Sequence, residues 1–204
     1  MSEQYSITFL NKSTNSGNFC VFQEAPKVKD QKVLSLAWLT QMAHPNTKGA
    51  FEWNVDYSFV WSETGTLTPG VQFIANEVLP AGLNKNNAVT LAYEDGAYRF
   101  VNQTTQSSSD GLHIDQDLNI PFKEASVGVG MSGNSVYAVQ AQSNLDLRFI
   151  PHSKYYITFG DYTEGQVLDT EAKTNAVEVQ FDPGVYSMTV ILNEDHTWTI
   201  EPTS

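Results

Sequence analysis

Cysteine occurs once in the 204 residues, at Cys20, so the chain has no intrachain disulfide. Nor does it need one: a chain of this length buries roughly 70% of its unfolded surface. Beside Phe19 and Val21, Cys20 reads as a small buried hydrophobe, and no basic neighbours in sequence mark it as a reactive thiol. Basic residues are also scarce, with 11 Lys and Arg against 23 Asp and Glu and a formal charge of −12. That balance repels phosphate backbones and anionic bilayers, which excludes nucleic acid and anionic membrane surfaces as expected partners. No stretch approaches the roughly 20 apolar residues of a membrane-spanning helix, so no membrane insertion is expected. The first residues, Met1-Ser-Glu-Gln-Tyr-Ser6, lack the basic start of a secretory signal. A cytoplasmic location is the expectation, with leaderless export left open.

Catalytic signatures are missing too. The chain has no H-E-x-x-H, no C-x-x-C, no phosphate-binding P-loop and no G-x-S-x-G; Gly130-Met-Ser132-Gly133 lacks the final spacing. Of the four histidines, His44 and His152 stand beside prolines and read as loop residues, and His196 reads as a hairpin tip. No catalytic residue and no organic cofactor is expected.

One motif invites a different conclusion. Gly128, Gly130 and Gly133 have the G-x-G-x-x-G spacing of a dinucleotide-binding turn. That turn requires a helix after the glycines, whose N-terminus holds the pyrophosphate. Here Val136, Tyr137 and Val139 follow, favouring a strand, and Gly133-Asn134 suits a hairpin. Ser126–Met131 and Ser135–Gln142 are therefore predicted as antiparallel strands that bind no nucleotide.

Strand signals dominate the rest. In Phe51–Trp61 every odd position is apolar, while Glu52, Asn54, Asp56 and Ser58 occupy four of the five even ones, which is period-2 alternation. These aromatics face a core, or else form an exposed platform for stacking sugars. Val89–Val101 is a hairpin around Asp95-Gly96, and Tyr186–Leu192 with Thr197–Ile200 is another. Tyr5–Leu10 and Asn18–Gln23 read as a first pair; Leu145–Phe149 and Tyr155–Phe159 are further short strands. Tyr5–Phe9 and Tyr155–Phe159 share the pattern Y-x-I-T-F, too short a match to establish duplication. Gln103–Asp110 is a polar surface loop. Only Asp30–Ala43 carries helical spacing, with Asp30 as cap, and a buried extended segment is its alternative. Short strands with frequent turns predict an all-β, single-domain antiparallel β-sandwich over 1–204, with at most one or two short helices.

The one segment with ligand chemistry is Asp110–Asn119. Asp115, Asp117 and Asn119 alternate like the first ligands of a calcium loop, but Ile120-Pro121 stands where that loop needs a glycine, and Glu124 falls short of the twelfth position. Calcium at Asp115, Asp117 and Asn119 is the metal candidate. The favoured reading is a metal-free edge strand with Leu112, Ile114, Leu118 and Ile120 pointing inward. The sequons Asn11-Lys-Ser13 and Asn102-Gln-Thr104 read as chance matches.

Asn18–Gln23, Leu36-Ala-Trp38, Trp53–Trp61 running into Ser62-Glu-Thr-Gly65, and Val129–Gly133 through Tyr155–Gly160 resemble the RhiA family. The resemblance spans Tyr5 to Ile200. It implies a rhizosphere-expressed, typically quorum-sensing-regulated bacterial product associated with a host, and it supplies no catalytic residues. Aromatic-rich strands with Asn, Thr, Ser and Gln in the loops suit a non-enzymatic protein that binds a glycan or host-surface ligand. The alternatives are a self-assembling structural or storage protein, with homo-oligomers left open, and a hydrolase with a site assembled from distant residues.

Overall fold

A computed structural model describes residues 4–28, 31–107, 110–151 and 153–203. In chain order the strands are β1 (Gln4–Asn11), β2 (Gly17–Gln23), β3 (Leu34–Ser35), β4 (Leu39–Ala43), β5 (Lys48–Asn54), β6 (Tyr57–Ser62), β7 (Glu77–Ala81), β8 (Ala88–Glu94) and β9 (Ala97–Thr104). They continue as β10 (Leu112–Gln116), β11 (Ser126–Met131), β12 (Asn134–Gln140), β13 (Asp146–Phe149), β14 (Tyr155–Gly160), β15 (Val177–Val179), β16 (Ser187–Leu192) and β17 (Trp198–Pro202). One short helix, α1 (Thr170–Thr174), starts where the Asp169 carboxylate accepts a 2.7 Å hydrogen bond from Ala172 N.

The fold is all-β and sandwich-like. Four sheets run β17-β16-β1-β5, β15-β14-β2-β4, β3-β12-β11-β6-β7 and β13-β10-β8-β9. Pairing is antiparallel except between β1 and β16 and between β8 and β10. The first two sheets meet through aromatic rings, Phe9 on Phe19 at 4.4 Å and Trp53 on Tyr155 at 4.9 Å. The last two meet through Phe59 and Phe100, and through Trp61 and Tyr98. Burying these rings drives both layers together, and one buried apolar cluster draws residues from all four sheets.

Several strands depart from expectation. The alternation of 51–61 is real, and Trp53, Phe59 and Trp61 are buried. It nevertheless belongs to two strands in different sheets, β5 and β6, parted at Val55-Asp56. On β6 the even positions Ser58 and Val60 are buried as well, because Val60 packs into a second cluster with Leu36, Phe73 and Val167. Tyr5–Leu10 and Asn18–Gln23 do not pair with each other; β1 and β2 lie in facing sheets. The chain crosses between them at Asn11, whose buried amide accepts from Ser13 and donates to Asn15 O and Ala43 O. That sequon asparagine is thus engaged in the fold.

The helix expected at 30–43 is replaced by the extended alternative, its proposed cap Asp30 lying outside the described residues. Leu34, Leu36, Ala37 and Trp38 are all buried, more sides than one helical face offers. Their backbone N–H groups go elsewhere: Leu36 to Val136 O, Ala37 to Gln166 O and Trp38 to Val21 O. The segment threads between sheets, a tertiary arrangement that overrides local helical spacing.

β10 is a further correction. It is central, between β13 and β8, rather than an edge. Pro121 lies beyond the strand's end at Gln116 and removes no ladder hydrogen bond. Leu112, Ile114 and Ile120 are buried, but Leu118 is exposed in the following turn.

Candidate functional site

Phe159 is the next-to-last residue of β14, where the inward alternation of Tyr155 and Ile157 reaches the sandwich margin. Its ring lies 5.0 Å from buried Phe19, edge to face, and Trp198 of the opposite sheet approaches Phe19 at 6.1 Å. Phe159 and Trp198 are both half-buried, so each keeps part of an apolar face toward solvent. Beside them the β16–β17 loop holds His196 at φ 62°, where its N–H donates to Asn193 O.

Two concavities share Phe159 and His196 and form one furrow. The first, about 530 Å³, is walled by Trp198 and by Thr174, Asn175 and Val177, where α1 runs into β15. The second, about 540 Å³, is walled by Ser16, Asn18, Met42 and Asp161. Asn18 is oriented by a 3.0 Å hydrogen bond from its amide to Tyr162 O. Two aromatic rings amid amides, hydroxyls, a carboxylate and an imidazole can stack on the apolar face of a ring and hydrogen-bond its hydroxyls.

The other sandwich offers an internal comparison. Trp61 and Tyr98 meet there at 5.6 Å, but the Glu77 carboxylate accepts from Trp61 Nε1 at 2.7 Å and from Phe100 N at 3.1 Å. Glu77 ties β7 to β9, and Trp61 and Tyr98 are only 7% and 9% exposed. The gap held shut there is open between β15 and β17.

The metal candidates Asp115, Asp117 and Asn119 do not share a face. The strand ends at Gln116, so Asp117 enters a turn, its N–H donating to Leu91 O and its carbonyl accepting from Asn144 N. Asp115 instead faces Asp146 across the β10–β13 pair. Burial, then the neighbouring Asp146 charge, raises its carboxyl above the ordinary range, with His113 acting in the opposite direction. Among the described residues, no three His, Cys, Asp or Glu side chains converge as a metal site.

Burial pushes the Cys20 thiol up, away from the thiolate form. His44 makes a 3.0 Å hydrogen bond to Ser16 Oγ, a pairing that sequence order concealed. Among the described hydrogen bonds, none joins a carboxylate to that imidazole. Gly128 and Gly130 lie within central strand β11, and Gly133 takes φ 87° in the turn to β12. A strand, not a helix, follows, as the residues after the glycines predicted.

The furrow residues Phe159, His196 and Trp198 were not singled out as a site from sequence. Phe159 is far in the chain from His196 and Trp198, and only the E-D-H-T-W turn and the end of the Y-x-I-T-F pattern mark them locally.

Comparison with known proteins gives a consistent result. The RhiA family model matches residues 2–203. Protein RhiA of Rhizobium leguminosarum bv. viciae is 35% identical over 202 residues, covering 98% of this chain and 87% of that protein. No solved structure matches the chain.

Proposed function

The chain belongs to the RhiA family, and from that premise we propose that it is a non-enzymatic bacterial binding protein whose ligand is a carbohydrate. The ligand lies in the Phe159–Trp198 furrow, and its recognition serves association with a host or with neighbouring cells. The observation that carries this reading is the pair of half-buried rings, Phe159 and Trp198, in an open cleft rimmed by hydrogen-bonding groups. A sugar's C–H face stacks on an aromatic ring, while Asn175, Asn18, Asp161 and His196 supply donors and acceptors for its hydroxyls. Partial exposure of large rings leaves desolvation free energy to be gained on binding.

The test is a glycan-array screen followed by calorimetry on the best ligand. Trp198→Ala and Asn175→Ala should abolish or strongly weaken binding while the unfolding midpoint of Asn175→Ala stays near wild type. A glycan that binds both variants as tightly as wild type would place the site elsewhere, and an array with no binder would refute the proposal.

Self-assembly is the second reading, favoured by Ile74, just before the edge strand β7, and Val78 on it, which are 65% and 46% exposed. They line a cleft of about 270 Å³ with Phe73, Asn134 and Glu164. Burial raises the Glu164 carboxyl above its ordinary value. A concentration-dependent mass by light scattering, lost in Ile74→Ser, would support it.

A further inference from the structure

The four sheets repeat one topology. Replacing β1, β2, β4, β5, β6, β7, β8 and β9 by β10 to β17 in order, and the reverse, converts β17-β16-β1-β5 into β9-β8-β10-β13. The same operation converts β15-β14-β2-β4 into β7-β6-β11-β12. Both resulting orders are observed, with short β3 appended beside β12. The two parallel pairings, β1 with β16 and β10 with β8, are exchanged by this operation.

Register agrees at the core positions, apart from irregularities in β8–β9 and β11–β12. Ile7 lies between Met188 and Phe51, and Ile114 lies between Val89 and Leu147. Tyr155, Ile157 and Phe159 face Gln23, Val21 and Phe19, as Tyr57, Phe59 and Trp61 face Met131, Val129 and Val127. The hairpins joining Tyr93 to Tyr98 and Leu192 to Trp198 then correspond, the second loop being one residue longer, which sets Tyr98 beside Trp61 as Trp198 stands near Phe159.

We propose that the chain is a tandem pair of one structural unit, residues 4–104 and 112–202, that have exchanged halves. Apart from short β3, each unit gives its first four strands to one sandwich and its last four to the other. The interaction surface of a unit therefore fits another copy of the same unit, and neither sandwich is complete without both. Contacts between the units are reciprocal, as in an isologous dimer. Similar but not identical bonds join the units: Trp38, next to β4, donates from Nε1 to the backbone Met131 O at 2.9 Å, and Tyr137 of the corresponding β12, whose counterpart by register is Leu39, donates to the Gln23 side chain at 2.5 Å. Gln23 and Met131 are themselves equivalent positions. The corresponding β6–β7 and β14–β15 loops pair with each other, Phe73 N to Gly165 O and Val167 N to Val71 O.

The test uses the full chain with a protease-recognition sequence inserted between Thr105 and Gly111. After cleavage the two fragments should elute together at the mass of the whole protein, and dilution should lower the unfolding midpoint, as for a bimolecular complex. Cleaved isotope-labelled and unlabelled chains should scramble their fragments. Trp38→Phe and Tyr137→Phe should each weaken reassociation by about 3- to 10-fold, the effect of losing one buried hydrogen bond. If a variant does not fold before cleavage, the dilution series on the cleaved parent decides the matter. Release of one fragment in a folded, protease-resistant form would overturn the proposal, as would a weakening confined to one of two well-folded variants.

Discussion

Gly128→Ala separates the two meanings of the glycine motif. Gly128 lies on β11 opposite Ala138, one residue before the register of the β11–β12 pair shifts. Tyr137 O lies directly over the glycine. A Cβ at Gly128 would lie 1.8 Å from this carbonyl, well inside the 3.0 Å below which such contacts essentially never fall. The obstacle is backbone in the middle of a five-stranded sheet, so the strands must part. Overpacking of this kind costs about 3 kcal/mol or more. In a chain of this length that lowers Tm by about 6–12 °C. Gly133 is the control, because its Cβ would meet nothing within 4 Å and only its φ of 87° opposes a side chain. Gly133→Ala should cost about 1–2 kcal/mol. The assay is thermal unfolding of both variants beside wild type, with calorimetry against NAD and FAD showing no binding. If Gly133→Ala were as damaging as Gly128→Ala, the close-approach reasoning would fail; micromolar cofactor binding would restore the nucleotide reading.

Trp53→Ala should destabilise the protein by about 3–5 kcal/mol in denaturant titration, because Trp53 is 1% exposed among Tyr5, Trp38, Tyr155 and Phe181; a near-wild-type midpoint would refute its core role. The raised Asp115 carboxyl favours the protonated folded state, so its stabilising contribution is present below the ordinary aspartate range and is lost as pH rises through the raised value. Asp146→Asn should therefore raise the melting temperature near pH 7 and leave it little changed near pH 3; equal effects at both pH values would exclude the carboxylate pair as the cause. Millimolar calcium against chelator should leave Tm unchanged. Saturation at 100 times a dissociation constant would instead add about 2.7 kcal/mol, and loss of that gain in Asp115→Ala would assign the ion to Asp115.

What the sequence determined by itself is mostly local. Period-2 alternation, β-branched runs and Asp-Gly or Gly-Asn turns were enough for the all-β class, for most strands and for the hairpins β8–β9, β11–β12 and β16–β17, because neighbouring residues set those interactions. The strand after Gly133 followed from Val136, Tyr137 and Val139 in the same way. Which strands become neighbours is a non-local matter. Val55-Asp56 carries an uninterrupted alternation from one sheet into another, and β10 is central because β8 and β13 find it. Burial on every side made Leu34–Trp38 extended despite its helical spacing. The furrow depends on the same kind of decision. Phe159 and Trp198 are aromatic residues like many others in the chain until two sheets bring them to one margin. Their counterparts Trp61 and Tyr98 differ chiefly because Glu77 reaches across and closes the gap. The four identities in Y-x-I-T-F do not mark the repeated unit, because they join β1 to β14, whose counterparts are β10 and β6; the pairing registers revealed it, because hydrogen-bonded geometry constrains position where side-chain identity is free to vary.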